Sequence, residues 1–489
     1  MSTIDRRSFL KSSTLVASST LASRFLPSAW AAPAGANEAI RVAVIGLGNQ
    51  GTNHLKRLLV RKDVKVTALC DVDPERIARS LEVATEKSVR PFTSTDARDI
   101  LSRADVDAVM VVTCNHWHAL LTVWACQAGK DVYVEKPMTH TVWEGRKMIE
   151  AAARYQRIVQ VGTHYRSGSG TEEAIQYVRS GQLGKINSVH APAYMMHGGT
   201  SRHAPWYPET LNYDQFCGPA PVTPLDRGKL HYDWHWVWAT GNGQLGNNGV
   251  HFLDLAVRLL PHTNPPRRVL SLGGRFTRAD DVSETPNTQL AVYDFPEFPI
   301  VYENRGLPAK PGVNYSDQVG GIRYGIMANC EGGYLAGLVG LTAFDPNGKV
   351  IKKFAAGGGS HHNNFFDAVR SRRSQDLAAP VEVGHASAAM CHYGNISYRL
   401  GEAASPDKVT QTLEALPAVA AMNKSLQQHL AVNQIDMVKR PLRLGPWLEL
   451  DQVGDSINAI HQGTESQLAA ARYLLRETPR PPYVIPDVV

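Results

Sequence analysis

Residues 40–55, Ile40-Arg41-Val42-Ala43-Val44-Ile45-Gly46-Leu47-Gly48-Asn49-Gln50-Gly51-Thr52-Asn53-His54-Leu55, decide the fold. An apolar run of strand length, rich in β-branched residues, passes without a break into three glycines and a helix-like segment. That order predicts strand, tight turn and helix. Gly46 is needed for the sharp turn, Gly48 lets a pyrophosphate reach the backbone, and Gly51 allows close packing of helix on strand. Asn49 and Gln50 then stand at the start of a helix whose free N–H groups and partial positive charge face the phosphates.

A second β-rich run, Val64–Leu69, ends at Cys70-Asp71, 25 residues beyond Gly46. An acid at this distance binds the adenine ribose hydroxyls and would repel a ribose phosphate, so NAD is expected rather than NADP. Asp73 competes for the role, and one of the two acids could equally cap the helix that begins at Pro74. Further on, strand patterns at Val106–Thr113, Asp131–Glu135 and Ile158–Thr163 alternate with helical ones at Ala119–Ala128 and from Thr141, the first residue of a capping box, to Tyr155. Such alternation argues for a Rossmann domain over residues 37–163 with a doubly wound parallel sheet. Beyond Gly184 the strands at Ile186–Ala193, Val269–Phe276, Thr288–Tyr293, Ile300–Glu303, Ile322–Asn329 and Tyr334–Leu338 are rarely interrupted by helices. Residues 164–355 are therefore expected to form an α/β substrate and oligomerisation domain with an open, largely antiparallel sheet. The long loops of Gly198–Leu230 carry Trp206, Tyr207 and Phe216 and read as functional. Helical patterns at Asn363–Arg373, His385–Leu400 and Ser456–Arg476, with an extended tail from Arg480, assign 356–489 to helices and a tail packing back on the body.

A chain of 489 residues with 43% hydrophobic and 20% charged residues suits a globular protein of two domains. Its first 31 residues hold Arg6, Arg7, Lys11 and Arg24 against Asp5, which accounts for half of the net charge of +6. No long basic tract follows, so no nucleic-acid footprint is indicated. The paired arginines, Phe9-Leu10-Lys11, a Ser/Ala-rich apolar stretch and Ala29-Trp30-Ala31 read as a twin-arginine signal cleaved after Ala31. The twin-arginine export machinery is then a partner, and a periplasmic or secreted location is expected. No membrane span is predicted. Six widely spaced cysteines without a CxxC pair signal neither zinc nor a disulfide framework, and most read as small core residues.

Glu135-Lys136-Pro137 follows a strand of the predicted sheet, at the carboxyl edge where such folds bind ligands. A lysine there can stabilise the oxyanion that builds on a sugar carbon as hydride leaves it. Together with Gly46–Gly51 and Cys70-Asp71, the segments Thr113-Cys114-Asn115-His116-Trp117-His118, Glu135-Lys136-Pro137 and Gly241-Asn242-Gly243 with Gly249-Val250-His251-Phe252-Leu253-Asp254 resemble the Gfo/Idh/MocA oxidoreductase family, and with it the exported glucose-fructose oxidoreductases. The resemblance runs over essentially the whole chain after the signal.

It implies a tightly held NAD, a carbohydrate substrate, homo-oligomers and a catalytic Lys136 whose bond to Pro137 is cis. His251 matches the family's catalytic histidine, with a near-neutral pKa suited to a general base. Asn247 stands where the family usually has aspartate, so it can orient a hydroxyl but cannot take a proton. Thr113, Asn115 and His118 match the segment that contacts the nicotinamide half, with Cys114 in place of proline, and Glu135 belongs to the same cofactor site. Tyr165 and Arg166 are expected against the substrate, as are Trp234 and His235, within Tyr232-Asp233-Trp234-His235-Trp236, where flat aromatic faces suit a sugar. His361-His362 reads as a solvated pair at a helix start, with no metal expected. Three functions fit: hydride transfer from a sugar carbinol, redox-neutral NAD-dependent glycoside cleavage through a keto-sugar, and sugar binding without catalysis.

Overall fold

The computed structural model describes residues 39–357, 359–452 and 455–489, and the signal segment 1–31 lies outside them. Its first sheet contains β1 (Ile40–Ile45), β2 (Val64–Cys70), β3 (Phe92–Ser94), β4 (Ala108–Val111), β5 (Asp131–Val134) and β6 (Val159–Val161). All are parallel, in the order β3-β2-β1-β4-β5-β6. Helices cover both faces, which is why β1, β4, β5 and β6 are apolar almost throughout. The order reverses between β1 and β4, and the carboxyl ends on either side of that point open onto the main cleft.

The second sheet has twelve strands. Its central strand, Ile186–Pro192, runs parallel to Pro299–Asn304, and the other pairings are antiparallel. One face packs on the helices Val250–Ala256 and Val381–Leu400. Part of the other is covered by the hairpin Pro406–Leu413 and Pro417–Val432, whose Val409, Leu413, Val419, Leu426 and Leu430 seal Leu270, Leu272, Leu290, Val292 and Val301.

Sequence and structure differ in four places. β3 and the short helix Ala97–Leu101 lack the apolar run that would announce them, since β3 is a three-residue, part-exposed edge. The Ser456–Arg476 pattern divides into a strand, Ile457–Ile460, that pairs with Leu448–Leu450, and a helix, Glu465–Leu474. The region after 356 adds strands as well as helices, Glu402–Ala404 and Leu442–Leu444 among them. His361 and His362 are buried, at 6% and 9% exposure, because helix His361–Ser371 docks Phe365 and Phe366 into the core beside β1. Their nitrogens meet the Val161 carbonyl and Ser167 for His361, and His54 for His362.

Burial pushes the imidazoles of His362 and His392 down to about 3 and that of His116 to about 4, from an ordinary 6.5. A depressed folded pKa stabilises the protein above the unfolded value, and the benefit is lost as pH falls. Thermal melts should therefore drop steadily between pH 6.5 and pH 4, each of the three histidines contributing on the order of 2 kcal/mol at pH 5. A melting temperature flat across that window would show that these histidines are not held neutral.

Candidate active site

The main cleft, of about 1190 Å³, lies over the carboxyl ends of β1, β2, β4, β5 and β6. At the end of β1, Gly46 adopts a φ of +92°, and a Cβ there would come within 2.4 Å of the Val112 carbonyl oxygen. At Gly51 a Cβ would lie 1.9 Å from the Gly46 carbonyl oxygen. Gly48 differs: its φ is −63°, a Cβ would meet nothing within 4 Å, and it lines the cleft. It caps helix Asn49–Leu59 without a side-chain bond, so the backbone N–H groups of this first turn, with Asn49 and Gln50, open on the cleft. Asp71 accepts hydrogen bonds from Leu47 N (2.6 Å) and Asp73 N (3.0 Å), and burial raises its carboxyl despite them. Asp73 is the cap of helix Pro74–Thr85 and pairs with His231 at 2.8 Å. The ribose position therefore falls to Asp71, whose oxygens keep further acceptor capacity.

At the end of β5 stands Glu135, 5% exposed. Burial alone would raise its carboxyl, yet the 2.9 Å bond to His54 Nε2 and the nearby Lys136 hold it well below the usual range. The backbone N–H of Lys136 donates to it (3.1 Å), and Gln50 Nε2 lies at 3.3 Å. The Lys136–Pro137 bond is cis. Lys136 Nζ donates to Asn247 O (2.7 Å) and Asn247 Oδ1 (3.2 Å), and burial lowers its pKa. Asn247 lies in the π-helical turn Leu245–Gly249 that leads into helix Val250–Ala256, which carries His251.

His251 is 5% exposed and does not line the cleft; its ring stands edge-on to His164 (5.0 Å) and Tyr165 (4.9 Å). Its Nδ1 has no partner among the described residues. Burial first, then Lys136, pushes the imidazole well below 6.5, so it is neutral. His164, not singled out from the sequence, fills the cleft wall in front of it. Its place directly beyond β6, at the same carboxyl edge as Glu135, is the signal that could have found it. Arg166, expected against the substrate, turns instead to Asp254 Oδ1 (3.0 Å) and the Ala378 carbonyl (2.9 Å), and Tyr165 does not line the cleft.

Thr113, Asn115 and His118 line the cleft, but the His118 ring and the Asn115 amide mainly tie loops together. His118 bridges the carbonyls of Pro137 (2.7 Å) and Thr113 (3.0 Å), and Asn115 Nδ2 donates to Asn242 Oδ1 (2.9 Å). Cys114 caps helix Asn115–Gln127 with a φ of −70°, the angle a proline would impose, so the exchange leaves the turn intact. Trp234 stacks on His235 at 3.6 Å, and both line the cleft beside Lys136. Burial brings His235 down to about 4. Trp206, Tyr207 and Tyr232 line the same cleft with 37%, 54% and 52% of their surface free, and Tyr232, its ring 5.3 Å from that of His235, leaves a face for a sugar.

Comparison with known proteins agrees with this arrangement. Residues 40–163 match the Gfo/Idh/MocA oxidoreductase family, NAD-binding Rossmann fold, and residues 187–270 match that family's C-terminal alpha/beta domain. Two stretches of the chain, one in each domain, are thus similar to this family. A glycosyl hydrolase family 109 protein of Shewanella pealeana is 30% identical over 40% of this chain and 46% of its own. Inositol 2-dehydrogenase 3 of Saccharopolyspora erythraea is 37% identical over 31% of this chain and 44% of its own. The chain thus spans less than half the length of these curated relatives. The WlbA dehydrogenase of Chromobacterium violaceum, solved with NADH and UDP-GlcNAcA, shares the fold with a TM-score of 0.54 at 17% identity, covering 75% of this chain and 96% of that one.

The cofactor is NAD, and the family's glycine turn fits it here: only Gly48 presents open space to the cleft, while Gly46 and Gly51 are filled by backbone. Gly48→Ala should therefore fold with a melting temperature close to the parent's and bind NADH at least about tenfold more weakly, read by fluorescence titration. Gly51→Ala should instead destabilise the fold. Equal NADH affinity in Gly48→Ala and parent would remove the pyrophosphate from this turn.

Proposed function

We propose that the protein is an exported, NAD-dependent oxidoreductase of sugars or sugar derivatives that keeps its cofactor bound. The observation that carries this reading is Lys136: its ammonium is held at the carboxyl edge of β5 by both oxygens of Asn247, in one cleft with the Gly48 turn and an aromatic wall. Bound NAD supplies the acceptor for a hydride leaving a carbinol carbon. Two of the three Lys136 donors are engaged by Asn247, and the third is left for the substrate oxygen as negative charge builds there. The hydroxyl proton passes to the neutral histidines, His164 on the wall and His251 behind it. Tyr232 and Trp234 offer the sugar flat faces. Arg6-Arg7 and Ala29-Trp30-Ala31 support export after folding, so that cofactor can be loaded beforehand. Replacing both arginines by lysine should leave the protein in the cytoplasmic fraction, and unchanged export would remove this part of the reading.

A second reading rests on His235, a further proton-transfer group beside Lys136, and on the family 109 glycosyl hydrolase relatives. Oxidation of a glycoside hydroxyl acidifies the adjacent C–H, a histidine removes that proton, the aglycone leaves, water adds, and the hydride returns.

Absorbance of the desalted protein separates the two. A lasting band of bound NADH with one sugar supports net oxidation, whereas aglycone release from a glycoside without added acceptor supports cleavage. Lys136→Ala should lower either activity by about 10² or more while NADH still binds. Parent-like turnover in that variant would take Lys136 out of both mechanisms, whereas a parent protein that turns over no sugar or glycoside would leave sugar binding alone.

A further inference from the structure

The cofactor cleft has a third wall outside both sheets. Segment 206–217 lies across it and presents Trp206, Tyr207, Leu211, Gln215 and Phe216 to the interior. Beneath it is only a small apolar cluster built on Phe216, Cys217, Leu225 and Leu230, too little to hold a loop by burial. Polar bonds to the carbonyls of the short helix Tyr213–Cys217 and the turn after it do that work. Trp117 Nε1 donates to Gln215 O (3.0 Å) and Phe216 O (3.1 Å), and Gly218 lies against the Trp117 ring so closely that a Cβ would come within 2.3 Å.

His116 Nε2 meets the Phe216 carbonyl (3.0 Å), and further bonds come from the far end of the sequence. Arg480 Nη1 donates to Asp214 Oδ1 (2.7 Å), Nη2 to Asp214 O (2.9 Å), and Nε lies between Gly218 O (3.1 Å) and Ala220 O (3.2 Å). Tyr483 Oη donates to Asp214 Oδ2 (3.0 Å), while its ring stands edge-on to Trp117 at 5.2 Å and lines the cleft. The segment also reaches the Rossmann domain where Gln215 Nε2 meets Asp96 Oδ2 (3.4 Å), just beyond β3. That side of the sheet carries Asp71, and three strand spacings, about 14 Å, separate it from Lys136 at the end of β5. The segment therefore covers the adenosine half.

We propose that Arg480 and Tyr483 latch segment 206–217 over the adenosine half of the cofactor, so that the tail governs how slowly the dinucleotide leaves. The inference rests on the reading of the cleft as the NAD site and adds a positioning residue, Arg480, and a wall residue, Tyr483. Asp214 is the catch: one carboxylate receives both tail side chains, and with 55% of its side chain exposed it can be released without unfolding the body.

The test is a chase. Protein loaded with NADH is mixed with excess NAD, and release is followed by loss of energy transfer from the tryptophans of the cleft, Trp117, Trp124, Trp206 and Trp234, to NADH. Arg480→Gln should release NADH about tenfold faster, and Tyr483→Phe, which removes one bond and keeps the ring, a few-fold faster. Asp487→Asn alters only the distant Arg476 pairing on the same tail and should release at the parent rate. A purely structural tail would lower the melting temperature of Arg480→Gln without changing release, and release at the parent rate in both tail variants would overturn the latch. A parent protein that takes up no NADH would overturn the NAD site itself, and the latch with it.

Discussion

A carboxylate taken out of water must be met by donors or it will not stay charged, and Glu135 is met from every direction. His54 reaches it from the helix that follows β1, the Lys136 N–H from its own strand end, and Gln50 from the helix's first turn. Gly162 beyond β6 leaves it room, since a Cβ there would stand 3.1 Å from the carboxylate. His54 passes the network on to His362 (2.9 Å), which belongs to a helix more than 300 residues away in sequence. One buried charge thus fixes the relative positions of three strand ends and a C-terminal helix, and Lys136 is placed by being next to it.

Much of the Rossmann half was legible because its constraints are local. Parallel strands buried on both faces read as continuous apolar runs, and a turn that backbone fills on two sides admits only glycine at Gly46 and Gly51. The capping box at Thr141 and Glu144 forms as written. The second half was less legible since its elements depend on partners distant in sequence. Nothing local in Ile457–Ile460 distinguishes a helix start from a strand until Leu448–Leu450 is there to pair with it. His361-His362 reads as polar and solvated, and only the docking of Phe365 and Phe366 takes it into the interior.

In the site, the motif residues divided in a way that spacing alone does not reveal. Gly48, Asp71, Lys136 and Asn247 face the cleft, whereas His116, Asn115, His118, Arg166 and Asp254 spend their polar groups on other parts of the protein. His116, for instance, lies between the carbonyls of Thr240 and Phe216 and so fastens the second domain to the Rossmann helix. A motif marks where polar groups are required, and the surroundings decide whether they meet a ligand or the chain itself.

Helix Val381–Leu400 has a consequence of this kind for motion. Its Val381 and Ala388 belong to the Rossmann core, while Ala389, Met390, Tyr393 and Ile396 belong to the core of the second sheet. Gly384 is pressed against Val161 and Met138 with no room for a side chain. A helix that is common property of two cores acts as a welded axle: neither half can swing without opening the apolar packing of the other, at a cost comparable to local unfolding. The breathing that admits and expels ligands is thereby confined to the outer loops, and the rate of exchange becomes a property of surface polar contacts instead of domain closure.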